Sequence, residues 1–400
     1  MNMDDKNLLL QLRHKYKHAL FDDVVPFWLK YSLDKQFGGY LSCIDFDGSI
    51  FDTDKYAWMQ GREIFLWSKL CSLFGVSPTW QEAAKIGVDF MLAHGKAPSG
   101  DYYFALDRKG NPLVQPYNIF SDCFMCIAMS EYSRIAQSEK ERSIAKEEAI
   151  RLYRRIQERK TNPKGIWNKQ IPGSRSLQTM SIPMIEASMA LELEGILDDD
   201  EIEQKTLQVI DLFLNRHVDR ALKCVFERVH ADGSHNFDVM EGRLLNCGHA
   251  LETIWFLMSI AEKQKNYELI NDLADIMLWC IERGWDQKYG GIFYYRDYNN
   301  KPLDKLESDM KLWWVHAEAL NAFLLAWKLT KSERHKQWFL TIDDWTWSHF
   351  PDSVHGEWYG YLSRQGEVSL TLKGGKWKGF FHLPRMLYSC LGYLDSMVNE

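Results

Sequence analysis

The 400-residue sequence has no long hydrophobic run, although 46% of its residues are hydrophobic. None of its apolar stretches approaches the roughly 18 residues that a membrane-spanning helix requires. Residues 1–17 also carry too much charge to form the apolar centre of a secretory signal. We therefore expect a cytoplasmic globular protein that does not enter the membrane.

An excess of positive charge is missing as well. The chain has 48 Lys and Arg against 55 Asp and Glu, and its basic residues are scattered. Binding to nucleic acid requires a concentrated basic surface, so nucleic acid is not an expected partner. The glycine patterns that bind phosphates and dinucleotides are absent, and so is the Ser-centred turn of the α/β-hydrolases.

Cysteine pairs are scarce. The eight Cys are mostly far apart within apolar stretches, as expected for reduced thiols in a core. Cys123 and Cys126 form one Cys-x-x-Cys pair without a second pair to complete a zinc site. We interpret them as neighbours on a buried helix.

The chain does contain an alternation of two kinds of helical segment. Six segments are charged on one face and apolar on the other, which predicts outer helices at residues 4–32, 79–94, 141–158, 200–217, 266–284 and 332–350. Six more are apolar nearly all round, which predicts buried inner helices at residues 60–74, 120–135, 182–194, 249–261, 311–329 and 381–394. The two kinds alternate strictly.

The inner helices recur at a regular interval. Their first turns are separated by steps of 60, 62, 65, 67 and 66 residues, counted between Arg62, Asp122, Met184, His249, His316 and His382. Six pairs whose inner helices lack a polar face close most naturally into a ring. We predict an all-α fold, a six-hairpin α/α toroid or (α/α)6 barrel, formed by residues 1–400 as one domain.

A segment rich in glycine or turn residues precedes each inner helix, at residues 37–52, 102–115, 164–177, 224–240, 290–304 and 356–373. Several are predicted to form short β-hairpins, with turns at Asp47-Gly48, Lys109-Gly110, Asn299-Asn300 and Gln365-Gly366. All six segments must lie on one rim. There the N-terminal ends of the inner helices favour negative charge.

Polar residues at the start of apolar helices are candidates for chemistry, because their burial is costly without a partner or a purpose. His249 and Glu252 lie three residues apart on one helix face, so the carboxylate can orient the imidazole. His316 and Glu318 lie two apart, so at most one of them points inward, and we favour Glu318.

Two further residues begin inner helices. His382 precedes Pro384, which is tolerated in a first turn and therefore keeps His382 near the rim. Arg62 needs an anionic partner, and an ion pair with Glu63 is the alternative to a site. A lone His is more often a core residue, but three at equivalent positions favour a site. They come from separate repeats without a His-Glu-x-x-His pair, so we favour acid/base chemistry over a metal.

Six strings, spread nearly from end to end, resemble the N-acylglucosamine 2-epimerases, whose animal members are also called renin-binding proteins. The strings are Gly38-Gly-Tyr40, Lys55-Tyr-Ala-Trp-Met-Gln-Gly-Arg62, Ile119-Phe-Ser-Asp-Cys-Phe124, Asn246-Cys-Gly-His-Ala-Leu-Glu252, Met310-Lys-Leu-Trp-Trp-Val-His-Ala-Glu318 and Leu372-Lys-Gly-Gly-Lys-Trp-Lys-Gly-Phe-Phe-His-Leu-Pro-Arg385. The sequence departs from the family at Cys247 and Val315, where the family has proline. Both changes affect the local backbone more than the chemistry.

The resemblance implies an (α/α)6 barrel and a set of site residues. It implies that His249 and His382 are the catalytic histidines, Arg62 the essential arginine and Glu318 the essential glutamate. Other members of these motifs are predicted to bind substrate: Tyr56, Trp58, Gln60, Asn246, Glu252, Trp313, His316, Trp377 and Lys378.

The reaction implied is the interconversion of N-acetylglucosamine and N-acetylmannosamine through an enediolate, with a histidine on each face of C2. An apolar wall for the acetamido methyl is predicted from Phe120, Phe124, Trp377, Phe380 and Phe381. Residues 180–184 lack the histidine of the cellobiose 2-epimerases. Alternatives are a mannose/glucose 2-epimerase, an aldose–ketose isomerase, an inverting glycosidase using Glu252 and Glu318, and a non-enzymatic binding protein.

No metal and no catalytic cofactor are expected. Members of the family are commonly homodimers that ATP activates without being hydrolysed. The resemblance therefore implies an ATP site, and basic residues before the third inner helix could hold its phosphates: Arg159, Lys160, Lys164, Lys169 and Arg175. A solvated run of charge is the equal alternative.

Overall fold

The outer and inner segments fold into two concentric layers of helix. The computed structural model describes residues 3–171 and 174–400. Within them the helices are α1 (Met3–His18), α2 (Val25–Tyr31), α3 (Ala57–Phe74), α4 (Pro78–His94), α5 (Phe120–Ile135), α6 (Glu139–Arg159), α7 (Ser181–Glu192), α8 (Asp199–Leu212), α9 (Cys247–Lys263), α10 (Tyr267–Gly284), α11 (Trp313–Thr330), α12 (Glu333–His349) and α13 (His382–Asn399). Short π-helical turns lie at Ala19–Val24 and Phe213–His217, and 3-10 turns at Gly165–Trp167 and Met240–Arg243.

The inner layer consists of α3, α5, α7, α9, α11 and α13, and each of these helices packs against the next. Each of the first five also packs against the outer helix that follows it, whereas α13 packs against α1 and so closes the ring. The predicted six-hairpin α/α toroid is confirmed. Its core combines the buried faces of both layers.

Helix ends follow local chemistry. Ser138 and Glu141 form a reciprocal capping box at the start of α6, which satisfies backbone N–H groups that have no partner in the helix. The first outer segment was predicted as one helix, and a π-helical turn joins α1 to α2 within it. The fifth inner helix begins at Trp313 rather than residue 311, because Lys311 and Leu312 pair in a strand.

The strands on the rim are short. They are β1 (Cys43–Ile44), β2 (Ile50–Asp52), β3 (Lys55–Tyr56), β4 (Ala105–Leu106), β5 (Pro112–Val114), β6 (Gln178–Thr179), β7 (Val218–Asp219), β8 (Cys224–Val225), β9 (Arg228–Val229), β10 (Leu244–Leu245), β11 (Arg296–Asp297), β12 (Lys311–Leu312), β13 (Tyr361–Leu362) and β14 (Val368–Leu370).

Pairing between repeats joins this rim together. The strand just ahead of an inner helix pairs antiparallel with a strand from the following repeat, as in β3 with β4, β6 with β9, β10 with β11 and β12 with β13. The last repeat returns to the first, since the backbone N–H groups of Lys373 and Gly374 donate to the Ile44 carbonyl at 2.8 and 3.0 Å. The rim segments therefore hold fixed positions around the ring.

Three of the four predicted hairpin turns connect paired strands: Asp47-Gly48 within β1–β2, Lys109-Gly110 within β4–β5 and Gln365-Gly366 within β13–β14. The prediction at Asn299-Asn300 is wrong as a hairpin. A turn forms there, with Asn300 at φ 57°, but β11 pairs with β10 of the preceding repeat. In the predicted segment 164–177, residues 172–173 lie outside the described residues.

Buried lysines reinforce the rim at three equivalent places. In each, a lysine next to a rim strand bonds an aspartate that begins the glycine turn after an outer helix; the pairs are Lys55–Asp34 at 3.0 Å, Lys311–Asp286 at 3.2 Å and Lys373–Asp352 at 2.8 Å. All six side chains are almost completely buried. Buried charges persist only when paired, so these contacts tie the end of an outer helix to the start of the inner helix in the same repeat.

None of the helices formed by the described residues is both long and apolar enough to cross a bilayer.

Candidate active site

All six inner helices contribute side chains to one cavity of about 570 Å³ at their N-terminal ends. The rim adds Tyr294, Glu307 and Tyr361. The cavity is mostly apolar, and its charged groups converge from different repeats. Their arrangement is that of a small-molecule site.

His382, the first residue of α13, is held by a carboxylate from α11. Its Nδ1 lies 2.7 Å from Glu318 Oε1, which also accepts a hydrogen bond of 2.7 Å from Arg385. The other oxygen of Glu318 accepts from the Trp255 indole at 2.7 Å. Arg385 also pairs with Glu252. The ring of His382 therefore has a fixed orientation, and its Nε2 has no hydrogen-bond partner among the described residues.

His249, near the start of α9, is held by a different carboxylate. Its Nδ1 lies 3.0 and 3.2 Å from the two oxygens of Glu227, which belongs to the rim segment between β8 and β9. Thr179 donates a hydrogen bond of 3.2 Å to Glu227 Oε1. The amide N–H of His249 donates to Asn246 Oδ1 at 3.1 Å, which caps the helix.

The indole of Trp314 lies between the two histidines. Its ring centroid is 5.4 Å from that of His249 and 5.6 Å from that of His382. Gly248 makes room for it, because a Cβ atom at this position would lie 2.6 Å from the indole. Both imidazoles therefore border the same part of the cavity.

Arg62 presents a cation to this cavity without an ionic partner. It packs against Trp58, Phe124 and Phe381, with its guanidinium carbon 4.1–4.9 Å from their ring centres. In the described part of the chain, no hydrogen bond or salt bridge to Arg62 occurs, and its Nε is buried. Burial lowers its pKa to about 9. An unpaired guanidinium of this kind is suited to a substrate oxygen that gains negative charge.

The pKa values of the two histidines are shifted in opposite directions. Burial lowers the pKa of His382 well below its ordinary value, and the positive charges of Arg62 and Arg385 act in the same direction. Burial alone would also lower the pKa of His249, but the charge and hydrogen bond of Glu227 raise it above the ordinary value. One ring is thus suited to accept a proton and the other to donate one.

Seven of the residues predicted for the site line the cavity: Trp58, Arg62, His249, Glu252, Trp313, Trp377 and His382. Glu318 lies directly behind His382 and Arg385. The structure therefore brings together the residues predicted for catalysis.

The other predicted contacts do not line the cavity: Tyr56, Gln60, Asn246, His316 and Lys378. Both nitrogens of His316 are hydrogen-bonded to the backbone, at 2.8 Å to the Leu312 carbonyl and 2.9 Å to the Ile292 N–H. Burial lowers the pKa of His316 to about 3, so it stays neutral. Gln60 bonds the backbone of Tyr40 twice, at 2.9 Å each.

The other predicted residues that lie outside the cavity are also engaged by neighbouring parts of the fold. Lys378 is buried against Glu357, and Asn246 is the cap of α9. Four members of the predicted apolar wall line the cavity, namely Phe120, Phe124, Trp377 and Phe381. Phe380 packs instead against Trp67, with ring centroids 4.4 Å apart, because successive residues point in different directions.

Sequence reasoning missed Glu227, Trp255 and Arg385 as site residues. Arg385 follows His382 by three residues, the spacing at which helix neighbours meet, and this signal could have revealed it. Glu227 stands in an irregular rim segment, where no periodic pattern marks its direction.

Oxygen or nitrogen atoms of Glu252, Glu318 and His382 lie within 4.8 Å of one another. Arg385 already bonds both carboxylates, so the local positive charge is supplied by the protein. An inverting glycosidase separates its two carboxylates by roughly 6.5–9.5 Å to admit water. These two carboxylates are too close for that role.

Comparisons with known proteins identify the family of the chain. The N-acylglucosamine 2-epimerase (GlcNAc 2-epimerase) family matches residues 39–385. The N-acylglucosamine 2-epimerase of Bos taurus is 34% identical over 95% of this chain and 90% of its own length. The Homo sapiens protein of the same name is 34% identical over 95% of this chain and 89% of its own.

Among solved structures, the cellobiose 2-epimerase from Bacillus thermoamylovorans superposes with a TM-score of 0.80 at 22% identity, covering 96% of this chain and 99% of that one. This likeness shows the shared (α/α)6 fold. The fold, the site and the named relatives together define the class of the protein, which is an isomerase of the 2-epimerase type. Within that class, the chain belongs to the N-acylglucosamine 2-epimerase family, as its motifs predicted.

Proposed function

We propose that this protein interconverts N-acetylglucosamine and N-acetylmannosamine. The observation that carries the proposal is the pair of histidines bordering one cavity, each with Nδ1 on a carboxylate and Nε2 left for substrate. The names of the full-length relatives support the choice of an N-acylated sugar.

In the proposed mechanism, one histidine removes the C2 proton from the open-chain aldehyde. The C2–H electrons form the C1–C2 double bond of an enolate that keeps the acetamido nitrogen on C2, and O1 carries the negative charge. The second histidine then returns a proton to the opposite face of C2. Each proton transfer of this type accelerates a reaction by about 10²–10⁴-fold.

Charge stabilisation at O1 falls to Arg62 in this proposal. Its guanidinium is unpaired within the cavity, so a substrate oxygen does not compete with a protein carboxylate for it. The N-terminal ends of the six inner helices add partial positive charge at the same end of the ring.

The unequal protonation assigns a direction to the first step. His382 is neutral and acts as the base when His249, the protonated ring, acts as the acid. For the opposite epimer the roles exchange, which requires the proton to be on His382 before reaction.

Choice of an acetamido sugar rests on the apolar side of the cavity. Phe120, Phe124, Met184 and Phe256 line it together with aromatic residues of the rim. A methyl group gains from such contacts, whereas a bare C2 hydroxyl would need a hydrogen-bond partner. One small apolar group provides only about 1–3 kcal/mol of discrimination, so slow turnover of glucose or mannose is compatible with the proposal.

The test is incubation of the purified protein with N-acetylglucosamine, N-acetylmannosamine, glucose or mannose in D₂O, followed by NMR. We expect the C2 epimer with deuterium at C2. A ketose product would instead identify an aldose–ketose isomerase, and a kcat/KM higher for mannose than for N-acetylmannosamine would refute the acyl assignment. No conversion of any sugar would favour a binding protein.

The variants His249→Ala and His382→Ala test the mechanism. Each is expected to lose nearly all turnover while its circular dichroism stays native, since water replaces a positioned base poorly. His316→Asn is a matched control, because His316 bonds only the backbone. Near-native turnover by either cavity variant would refute the two-base mechanism.

We also propose that ATP binds as an activator beside the segment before α7. Lys164, Lys169, Trp167 and Tyr117 line an open pocket of about 520 Å³ there, which offers two charges for phosphates and two rings for a base. Of the other basic residues considered, Arg159 pairs with Asp101 and Asp122, and Lys160 with Glu186. Calorimetry with ATP should detect binding that Lys164→Ala and Lys169→Ala weaken.

We also propose that the protein is a homodimer in the cytoplasm. All eight cysteines are buried as free thiols, which suits a reducing compartment. Sedimentation velocity measures the oligomeric state directly, and a monomer at micromolar concentration would refute the dimer.

A further inference from the structure

The two histidine–carboxylate pairs of the cavity look alike but differ in charge balance. Glu318 receives hydrogen bonds from Arg385 and Trp255 as well as its contact with His382. Its negative charge is therefore shared with a permanent cation. His382 gains little charge stabilisation from it.

Within the described residues, Glu227 has no such cation. Its side chain hydrogen-bonds there only to the His249 ring and the Thr179 hydroxyl. The neighbouring His217 is neutral, because burial lowers its pKa and its Nδ1 bonds the Phe226 carbonyl at 2.8 Å. The full charge of Glu227 thus acts on His249.

The position of Glu227 is fixed by backbone pairing. Its N–H donates to the Leu244 carbonyl and its carbonyl accepts from Met180, both at 2.9 Å. It therefore lies between the strands that lead into α7 and α9. The side chain itself is buried, so its carboxylate cannot turn toward water.

We propose, on the basis of the epimerase function above, that Glu227 is a positioning residue that keeps His249 protonated at rest. The enzyme thereby waits in the form that uses His382 as base. The opposite epimer reacts only when His382 carries the proton, a form that burial of the ring and the charges of Arg62 and Arg385 make rare.

Several titratable groups surround the His249–Glu227 pair. Those acting on His249 or Glu227 are Glu252 on α9, His382 on α13, His217 before β7, and Tyr294 and Tyr295 on the rim. Glu252 is paired with Arg385, which leaves Glu227 as the uncompensated carboxylate. Burial would raise the pKa of Glu227, but His249 lowers it overall, so Glu227 remains ionised.

The variant Glu227→Gln tests the inference through the pH profile of kcat/KM. In either direction of epimerisation, the active enzyme carries one proton shared between the two histidines. The pH profiles of the two directions therefore have the same acid limb and the same alkaline limb. Loss of a charge in direct contact lowers the pKa of His249, and the alkaline limb should move about one pH unit or more toward acid. The limb set by His382 should stay where it is.

A matched control lies on the same rim segment. Glu241→Gln removes an equal charge from an exposed ion pair with Arg228, and its pH profile should match that of the wild type. Glu227→Asp retains the charge, so its alkaline limb should return toward the wild-type position even if kcat stays low. A Glu227→Gln enzyme with an unshifted alkaline limb would overturn the inference.

The unmodified protein provides a second measurement in case Glu227→Gln does not fold. Histidine NMR, assigned with His249→Asn and His382→Asn, follows each imidazole through a titration. We expect His249 to lose its proton above the ordinary histidine range and His382 to stay neutral down to acid pH. The reverse order would overturn the inference, whereas inactivity toward all sugars would refute only the proposed function.

Discussion

Two buried arginines border the same cavity, and their removal should change stability in opposite directions. Arg62 rests against three aromatic rings and forms no ion pair with a described residue, whereas Arg385 bonds both Glu252 and Glu318. Both guanidinium groups are enclosed by the protein. Only the charge balance around them differs.

The expected magnitude for Arg62 follows from its pKa, which burial lowers to about 9. Since an ordinary arginine titrates near 12.5 or above and one pH unit equals about 1.4 kcal/mol, burial disfavours the charged side chain by roughly 4–5 kcal/mol. Contacts with three rings return about 0.5–1 kcal/mol each or somewhat more. We therefore expect Arg62→Met to raise the free energy of unfolding by about 1–3 kcal/mol.

The catalytic activity of Arg62→Met should fall, although its stability rises. If Arg62 stabilises the charge on O1, its loss removes a donor of the oxyanion-hole type, and kcat should fall about 10²–10³-fold. Arg62→Met would then be more stable and nearly inactive. Such opposition is expected where a protein retains an unfavourable charge for its chemistry.

The Arg385→Met variant is the matched comparison. It leaves two buried carboxylates without their cation, and breaking a buried pair in this way costs about 3–5 kcal/mol. Urea unfolding and calorimetry, read together with kcat/KM, distinguish the two variants. The reasoning is refuted if Arg62→Met is destabilised as strongly as Arg385→Met, or if it keeps near-native activity.

Three other outcomes follow from the structure. The pH profile of kcat/KM should be bell-shaped, rising with pH as His382 loses its proton and falling again as His249 does, because the pKa of His382 is lowered and that of His249 is raised; a profile with a single limb would contradict the assignment. Activity should survive excess EDTA, since Arg385 already neutralises Glu252 and Glu318, and a loss that zinc restores would reverse this expectation. Lys311→Met should reduce the free energy of unfolding by about 1–3 kcal/mol, because Asp286 would lose the buried lysine but keep its ion pair with Arg364, and unchanged urea unfolding would show that the Lys311 contact contributes nothing.

The ring of helices was predictable because the hydrophobic periodicity of each helical segment depends only on that segment's own sequence. A helix that is apolar all round, such as α11, must be buried wherever it lies. The order of strands on the rim was not predictable in the same way. Two-residue strands carry no pattern, and β11 pairs with β10 although a turn follows it. The partner of such a strand depends on where neighbouring repeats stand in the ring.

The residues of the site also divide into those that the sequence predicts and those that it does not. His249, His382 and Arg62 were found because polar residues are conspicuous at the start of apolar helices. His316 is equally conspicuous in sequence, yet it only joins backbone groups of two rim segments. The difference arises from which side of an inner helix faces the axis of the ring, and this cannot be deduced from spacing alone.

The opposite pKa shifts of the two histidines depend on residues that lie still farther apart in the sequence. Both rings begin inner helices and both have a carboxylate on Nδ1, so sequence treats them as equivalent. Their difference comes from Arg385, which neutralises the carboxylate of one pair, and from the lack of any cation beside Glu227 in the other, within the described residues. Because Glu227 and His249 lie on different segments of the chain, the ring must close before the two acquire opposite tendencies. Closure of the ring is therefore what gives two similar side chains opposite pKa shifts.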